Sequence, residues 1–220
     1  MSDVYVEVTS VAKTYRRGPY EVAALQHATC RVVEGDRIAV VGPSGSGKST
    51  LLHLMGGLDL QSSGSIKWPA LADGARLRPE YISFVFQSMS LLPSLTVLEN
   101  IELPLILLER TREGSRERAF QALRSMHLEH TALKLPEEIS GGQAQRIAVA
   151  RALCSGSKVI LADEPTGQLD HDTSREMFDV LLESLEGSKT ALVIATHDMS
   201  IADRMKSLWR IRHGELEEIV

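Results

Sequence analysis

Gly42-Pro43-Ser44-Gly45-Ser46-Gly47-Lys48-Ser49-Thr50 fits G-x-x-x-x-G-K-[ST], the pattern of a phosphate-binding P-loop. Its surroundings agree. Arg37-Ile38-Ala39-Val40-Val41 predicts a buried strand running into the loop, and Ser49 to Met55 predicts a helix leaving it. Glycines let the backbone fold tightly, so that successive N–H groups face one point. The helix start adds unpaired donors and the positive end of its dipole. In such a loop Lys48 reaches the terminal phosphates, the Ser49 hydroxyl sits on Mg²⁺ and Thr50 supports the same shell. An ordinary Gly/Ser connection is the bland alternative, and the flanking strand and helix argue against it.

The chain has 220 residues, 43% of them apolar, which is enough for a proper core. A net charge of −5 argues against a broad nucleic-acid footprint. Cys30 and Cys154 lie far apart without metal-ligand spacing and read as buried thiols. No N-terminal run resembles a signal peptide. The greasiest segment, Ile101 to Leu108, is short and broken by Glu102 and Pro104, so no bilayer span is expected.

Ahead of the P-loop, Val4, Val6 and Val8 alternate with polar partners as in a half-buried strand. Tyr15 follows, before a turn at Arg16-Arg17-Gly18-Pro19. A second strand is expected over about Ala28 to Val33. Beyond the P-loop helix, Ser65 to Trp68 and Tyr81 to Phe86 read as strands, with a loop from Pro69 to Pro79 between them. Thr96-Val97-Leu98-Glu99 is a capping box that starts a helix. Arg112 to Leu128 is a charged helix with Ala119, Phe120, Leu123 and Met126 on one side, and Arg110 to Arg118 as a solvated face. Val159-Ile160-Leu161-Ala162 and Ala191 to Ala195 are short apolar runs of the buried parallel type. Thr173-Ser174-Arg175-Glu176 offers another capping box, and a last hairpin turns at His213-Gly214. The sequence therefore predicts an α/β fold. An N-terminal antiparallel β subdomain feeds a mostly parallel sheet, into which a helical subdomain is inserted.

Ligands of open α/β sheets sit beyond the carboxyl ends of the strands. The P-loop, Gln87, Asp163-Glu164 and His197 all fall at such ends. Asp163, after four apolar residues, suits Mg²⁺, which takes one or two carboxylates and keeps waters. Glu164 is placed to polarise a water in line with a γ-phosphate, and His197 to hydrogen-bond that phosphate.

Together these residues resemble the ATPase domain of ABC transporters, over essentially the whole chain and in the family's order. Tyr15 falls at the adenine-stacking aromatic, residues 42–50 at Walker A and Gln87 at the Q-loop glutamine, a further Mg²⁺ contact. Ser140-Gly141-Gly142-Gln143 resembles the signature motif, the most diagnostic piece. Asp163-Glu164 matches Walker B with its catalytic glutamate, Asp170 the D-loop acid and His197 the switch histidine. Ile139, Ala144 and Gln168 depart from the usual residues, and the segment from Trp68 to Glu80 looks short for the branch. Phe84-Val85-Phe86-Gln87, Leu91-Leu92-Pro93, Thr96 to Asn100 and Leu103-Pro104-Leu105 are similar to the macrolide-export, lipoprotein-release and cell-division branch.

The resemblance implies one ATPase domain over residues 3–220, with its helical subdomain at about 88–156. It implies an ATP- and Mg²⁺-dependent ATPase that forms a head-to-tail homodimer on ATP. Each site pairs the P-loop of one copy with Ser140-Gly141-Gly142 of the other. The expected partner is an integral-membrane permease, met through the region from Ser88 to Pro104, so that the subunit lies peripherally on the inner face of the membrane. A soluble ABC ATPase with a cytosolic partner is the competing reading; a small-substrate P-loop kinase is disfavoured by the signature motif and His197.

Overall fold

The computed structural model describes residues 2–71, 79–108 and 111–219. Two sheets and a set of helices form its layers. β1 (Val4–Arg17), β2 (Tyr20–Val33) and β4 (Ser63–Lys67) make an antiparallel sheet in the order β2-β1-β4. The main sheet has the order β5-β6-β7-β3-β8-β9. It comprises β3 (Arg37–Val41), β5 (Ile82–Val85), β6 (Val159–Asp163), β7 (Ala191–Thr196), β8 (Ser207–Arg212) and β9 (Glu215–Ile219). Its first five strands run parallel, and β9 returns antiparallel to β8.

β3, β6 and β7 are buried along their whole length, as continuous apolar runs require when both faces of a sheet are covered. The two-residue period divides their side chains between layers. Val159, Leu161, Ala191 and Val193 join one core with α1 (Lys48–Met55) and the antiparallel sheet. Ile160, Ala162, Leu192 and Ile194 join the other. That second core contains α2 (Val97–Leu107), α3 (Arg112–Ser125), α4 (Gly141–Ser155) and α5 (His171–Ser184). A short α6 (Met199–Ala202) follows β7. Among the described residues no helix is long and apolar enough to cross a membrane.

Several local expectations change. β1 and β2 form a hairpin of two 14-residue strands, so Arg16 and Arg17 belong to β1 and only Gly18-Pro19 turn the chain. A register shift between Val4 and Val6 turns Tyr5 inward, where its hydroxyl donates to the Lys189 carbonyl at 3.2 Å. Phe120 stands at the exposed edge of its helix while Ala119, Leu123 and Met126 are buried. α5 begins at His171, earlier than the Thr173 capping box predicts, because the Asp170 carboxylate accepts from the Thr173 N–H at 3.0 Å. Of the loop expected from Pro69 to Pro79, and of the short segment containing it, residues 72–78 lie outside the described residues.

The Thr96 capping box forms as expected, with Glu99 as its partner. One turn in, Asn100 is fully buried. It accepts from the Leu92 N–H at 2.7 Å and donates to the carbonyls of Leu92, Leu95 and Thr96 at 3.0–3.1 Å. That one carboxamide fixes the loop carrying Leu91, which packs into the core, and Leu92, which is exposed. Alanine at position 100 takes the carboxamide from the Leu92 N–H and the Leu95 carbonyl, while the carbonyls of Leu92 and Thr96 keep backbone donors, and a buried polar group left without its partner costs about 1–3 kcal/mol. Asn100→Ala should therefore lower unfolding free energy by about 2–3 kcal/mol in a urea titration. A loss below about 0.5 kcal/mol, the range of neutral surface changes, would show that the loop is held by other means.

Candidate functional site

The carboxyl ends of β3, β6 and β7 deliver three sequence-distant segments to one cleft of about 420 Å³, lined by Ser44, Gly45, Lys48, Ser49, Gln87, Glu164 and His197. Larger hollows of about 540 and 760 Å³ lie against α3 and beneath α5. Neither gathers a loop of backbone donors with opposed acid and base groups.

The P-loop is built by close approach. Gly47 has φ 113°, and a Cβ there would lie 2.3 Å from the Ala24 carbonyl of β2, so only glycine fits. Gly47 is also the N-cap of α1 and offers no side-chain cap. The first N–H groups of α1 therefore lack a capping partner and face an incoming anion. Lys48 is 7% exposed. Its ammonium donates to the carbonyls of Gly42 at 2.9 Å and Pro43 at 3.2 Å, and stands 3.9 Å from Glu164 Oε1. The Ser46 hydroxyl is buried without a hydrogen-bond partner among the described residues.

Glu164 has φ 47°, a left-handed conformation that costs a non-glycine residue about 1–3 kcal/mol and collects at functional sites. Its N–H is fixed to the Ala195 carbonyl of β7 at 2.9 Å. Its carboxylate is nearly buried, with Oε2 at 2.7 Å from His197 Nδ1 and Oε1 toward Lys48. Glu164 is thus gripped by the P-loop on one side and by the residue after β7 on the other. His197 keeps most of its ring in solvent.

Asp163 ends β6 and is 5% exposed. Burial pushes its carboxyl above the ordinary carboxylate value. The Ser49 hydroxyl, His53 and Lys48 pull it back, and Glu164 adds to the rise. Its Oδ1 is buried without a hydrogen-bond partner among the described residues. A buried, orphaned carboxylate oxygen beside a serine hydroxyl is what a hard cation would satisfy, so Ser49 and Asp163 fit Mg²⁺. Among the described residues no cluster of three His, Cys, Asp or Glu forms a metal cage. Gln87 is exposed on the cleft wall just beyond β5.

The other expected residues lie apart from this cleft. Ser140 caps α4 and exchanges reciprocal hydrogen bonds with Gln143, at 3.2 and 2.9 Å. The Gln143 carboxamide oxygen is occupied in the capping box, and the Ser140 hydroxyl keeps a proton to donate. Gly141 is packed so closely by Gln168 that a Cβ would lie 2.7 Å from the Gln168 Oε1. The loop after Glu164 therefore rests on the N-terminus of α4. Asp170 is the α5 cap, and Tyr15 lies near the end of β1 with about a third of its surface exposed. Two links were not legible in the motifs. Gln145 donates to the Phe86 carbonyl at 3.3 Å, and Arg151 to the Ser90 carbonyl and hydroxyl at 2.9 and 2.7 Å. Both tie the segment around Gln87 to α4.

The raised Asp163 pKa has a sign for stability. A carboxyl whose folded pKa exceeds its unfolded value stabilises the fold fully only below the unfolded value of about 3.9, and loses that contribution as pH rises through the folded value. At neutral pH the ionised group is a cost. Asp163→Asn should stabilise the protein by about 0.5–2 kcal/mol at pH 7 without nucleotide or Mg²⁺. Thermal unfolding should show the advantage shrinking toward pH 4. A less stable variant at pH 7 would contradict this reading of the burial.

The chain matches the family model described as ABC transporter over residues 25–167. Among curated relatives, the lipoprotein-releasing system ATP-binding protein LolD of Legionella pneumophila (strain Paris) is 41% identical, with 98% of each chain covered. The protein of that name from Pseudomonas syringae pv. tomato is 42% identical, covering 99% of this chain and all of the relative. Among solved structures, a dimeric ATP-binding cassette in a post-hydrolysis state, bound to ADP and Pi, superposes with a TM-score of 0.89 at 37% identity. It covers 98% of this chain and 99% of that one. A dimeric structure of the same bacterial cassette gives 0.90. With Walker-type loop, acid pair and histidine meeting in one cleft, the chain belongs to the ATP-binding subunits of the ABC transporter family.

Proposed function

We propose that Glu164 is the general base of an ATPase that powers a membrane permease of the lipoprotein-releasing type. The observation that carries the reading is the placement of Glu164, strained, buried and held between Lys48 and His197. Near-full-length likeness to lipoprotein-releasing ATP-binding proteins supports the cargo class. Residues 3–220 act as one ATPase domain, with a helical subdomain at about 88–156. The subunit works as a dimer, bound peripherally to the cytoplasmic face of the membrane through its permease.

In this mechanism the P-loop N–H groups of residues 44–50 cradle the phosphates. Lys48 exchanges the carbonyls of Gly42 and Pro43 for terminal phosphate oxygens. Ser49, Asp163 and Gln87 would hold Mg²⁺, which when bound neutralises charge on the β- and γ-phosphate oxygens. Glu164 takes a proton from a water aligned with the γ-phosphorus. The water oxygen bonds to phosphorus as the bond to the ADP oxygen breaks. His197 Nδ1 orients the carboxylate, and its second ring nitrogen hydrogen-bonds the γ-phosphate. Tyr15 stacks on the adenine.

Ser140-Gly141-Gly142 lie away from their own cleft and meet the nucleotide of the partner subunit head to tail, a reading supported by the dimeric cassettes of the same fold. The capping box preorganises those N–H donors, and the Ser140 hydroxyl adds one more. Gln143 holds that cap, while Asp170 sets the D-loop at the subunit boundary. The exposed Leu92 and the segment from Ser88 to Pro104 face the permease.

Glu164→Gln should slow ATP turnover about 10²–10⁴-fold while ATP binding survives; undiminished phosphate release removes Glu164 as the base. Ser140→Arg should abolish turnover yet leave ATP affinity of the monomer intact, measured by calorimetry. Wild-type turnover in that variant contradicts a shared site.

A further inference from the structure

We propose that Asp59 and Lys13 are positioning residues that clamp the Tyr15 ring for the nucleotide base. The inference rests on the ATP-binding reading above and adds to it two residues outside every nucleotide motif. Asp59 lies in the loop after α1. Its Oδ2 accepts from the Tyr15 hydroxyl at 2.9 Å, and its Oδ1 accepts from Lys13 at 2.6 Å. The Lys13 ammonium also donates to the Leu60 carbonyl at 2.7 Å and lies over the Tyr15 ring, 4.8 Å from its centroid.

The loop is fastened along β1 on both sides of this pair. Thr14 N–H donates to the Ser62 hydroxyl at 3.0 Å, and Ser62 N–H to the Ala12 carbonyl at 2.8 Å. The Lys13 side chain is only 12% exposed, so its charge is committed to this cluster. Its bonds hold the Asp59 carboxyl below the ordinary carboxylate value despite partial burial, and the ionised acceptor is the strong one.

The consequence is geometric. A tyrosine with a third of its surface in solvent would ordinarily sample several rotamers, and binding would then require ordering it. Here the phenol oxygen is pinned and one ring face is taken by a cation, which leaves the opposite face for a base. Asp59 follows α1, so its bond to the phenol fastens the ring to the helix that leaves the P-loop.

The test compares two ligands on the full chain, ATP and inorganic triphosphate, by calorimetry without Mg²⁺ so that no hydrolysis occurs. Asp59→Ala should weaken ATP about 3–10-fold and leave triphosphate affinity unchanged. In a Tyr15→Ala background, Asp59→Ala should have no further effect on ATP. Asp59→Asn keeps an acceptor for the phenol and should fall between, and Lys13→Met should match Asp59→Ala. These two carry the test if Asp59→Ala fails to fold. Equal losses for both ligands, or an undiminished Asp59→Ala effect in the Tyr15→Ala background, overturn the clamp and make Asp59 a support of the P-loop helix. A silent Tyr15→Ala overturns both the clamp and the base-stacking role, with triphosphate binding still upholding the P-loop. Failure of the wild type to bind either ligand overturns the ATP-binding reading itself.

Discussion

The site depends on β7 being paired on both sides in parallel. Val41, the last residue before the P-loop, is in register with Thr196, and Asp163 is in register with Ala195. One strand thereby aligns the phosphate cradle with the acid pair, and the Glu164 N–H continues the ladder onto the Ala195 carbonyl. His197 then leaves β7 where it can meet Glu164. A slip of one residue in either pairing would turn every side chain of that strand to the opposite core. Such a slip would break the approach of Lys48 to Glu164. The apolar alternation of the two cores is what forbids it.

Residues at the cleft are held in states that cost the fold stability. Glu164 is left-handed without being glycine, and Asp163 Oδ1 and the Ser46 hydroxyl are buried without a partner among the described residues. Local rules are broken where function is served, and surrounding packing holds the strain in place. The same residues would be relieved by a phosphate and a hard cation, so such ligands would meet groups held ready at a cost in stability.

Much of this was legible in the sequence for identifiable reasons. β3, β6 and β7 are continuous apolar runs because both faces are covered, and the residues at their ends meet in one cleft because parallel strands share one carboxyl edge. The Thr96 cap was legible because its partner stands three residues away. The start of α5 was not, since Thr173-Ser174-Arg175-Glu176 satisfies the same pattern and only the backbone shows that Asp170 caps first. The outer halves of β1 and β2 escaped notice because Tyr20 to Ala23 are exposed and show no alternation. The Asp59–Tyr15 contact joins residues 44 apart in the chain, which no local pattern can signal. Gln168 stood out as an unusual residue, but its contact with Gly141 needed the folded chain.

The central claim is that a complete site takes the P-loop of one chain and the α4 N-terminus of another. The most direct measurement mixes two defective proteins, Lys48→Ala and Ser140→Arg, both carrying Glu164→Gln to prevent turnover. In a head-to-tail pair both defects fall in one site and the other is built wholly from intact parts. Gel filtration with ATP should then yield a dimer that retains one nucleotide from the mixture and from neither protein alone. A mixture that stays monomeric, or an ATP-bound dimer formed by either protein alone, would contradict the shared site.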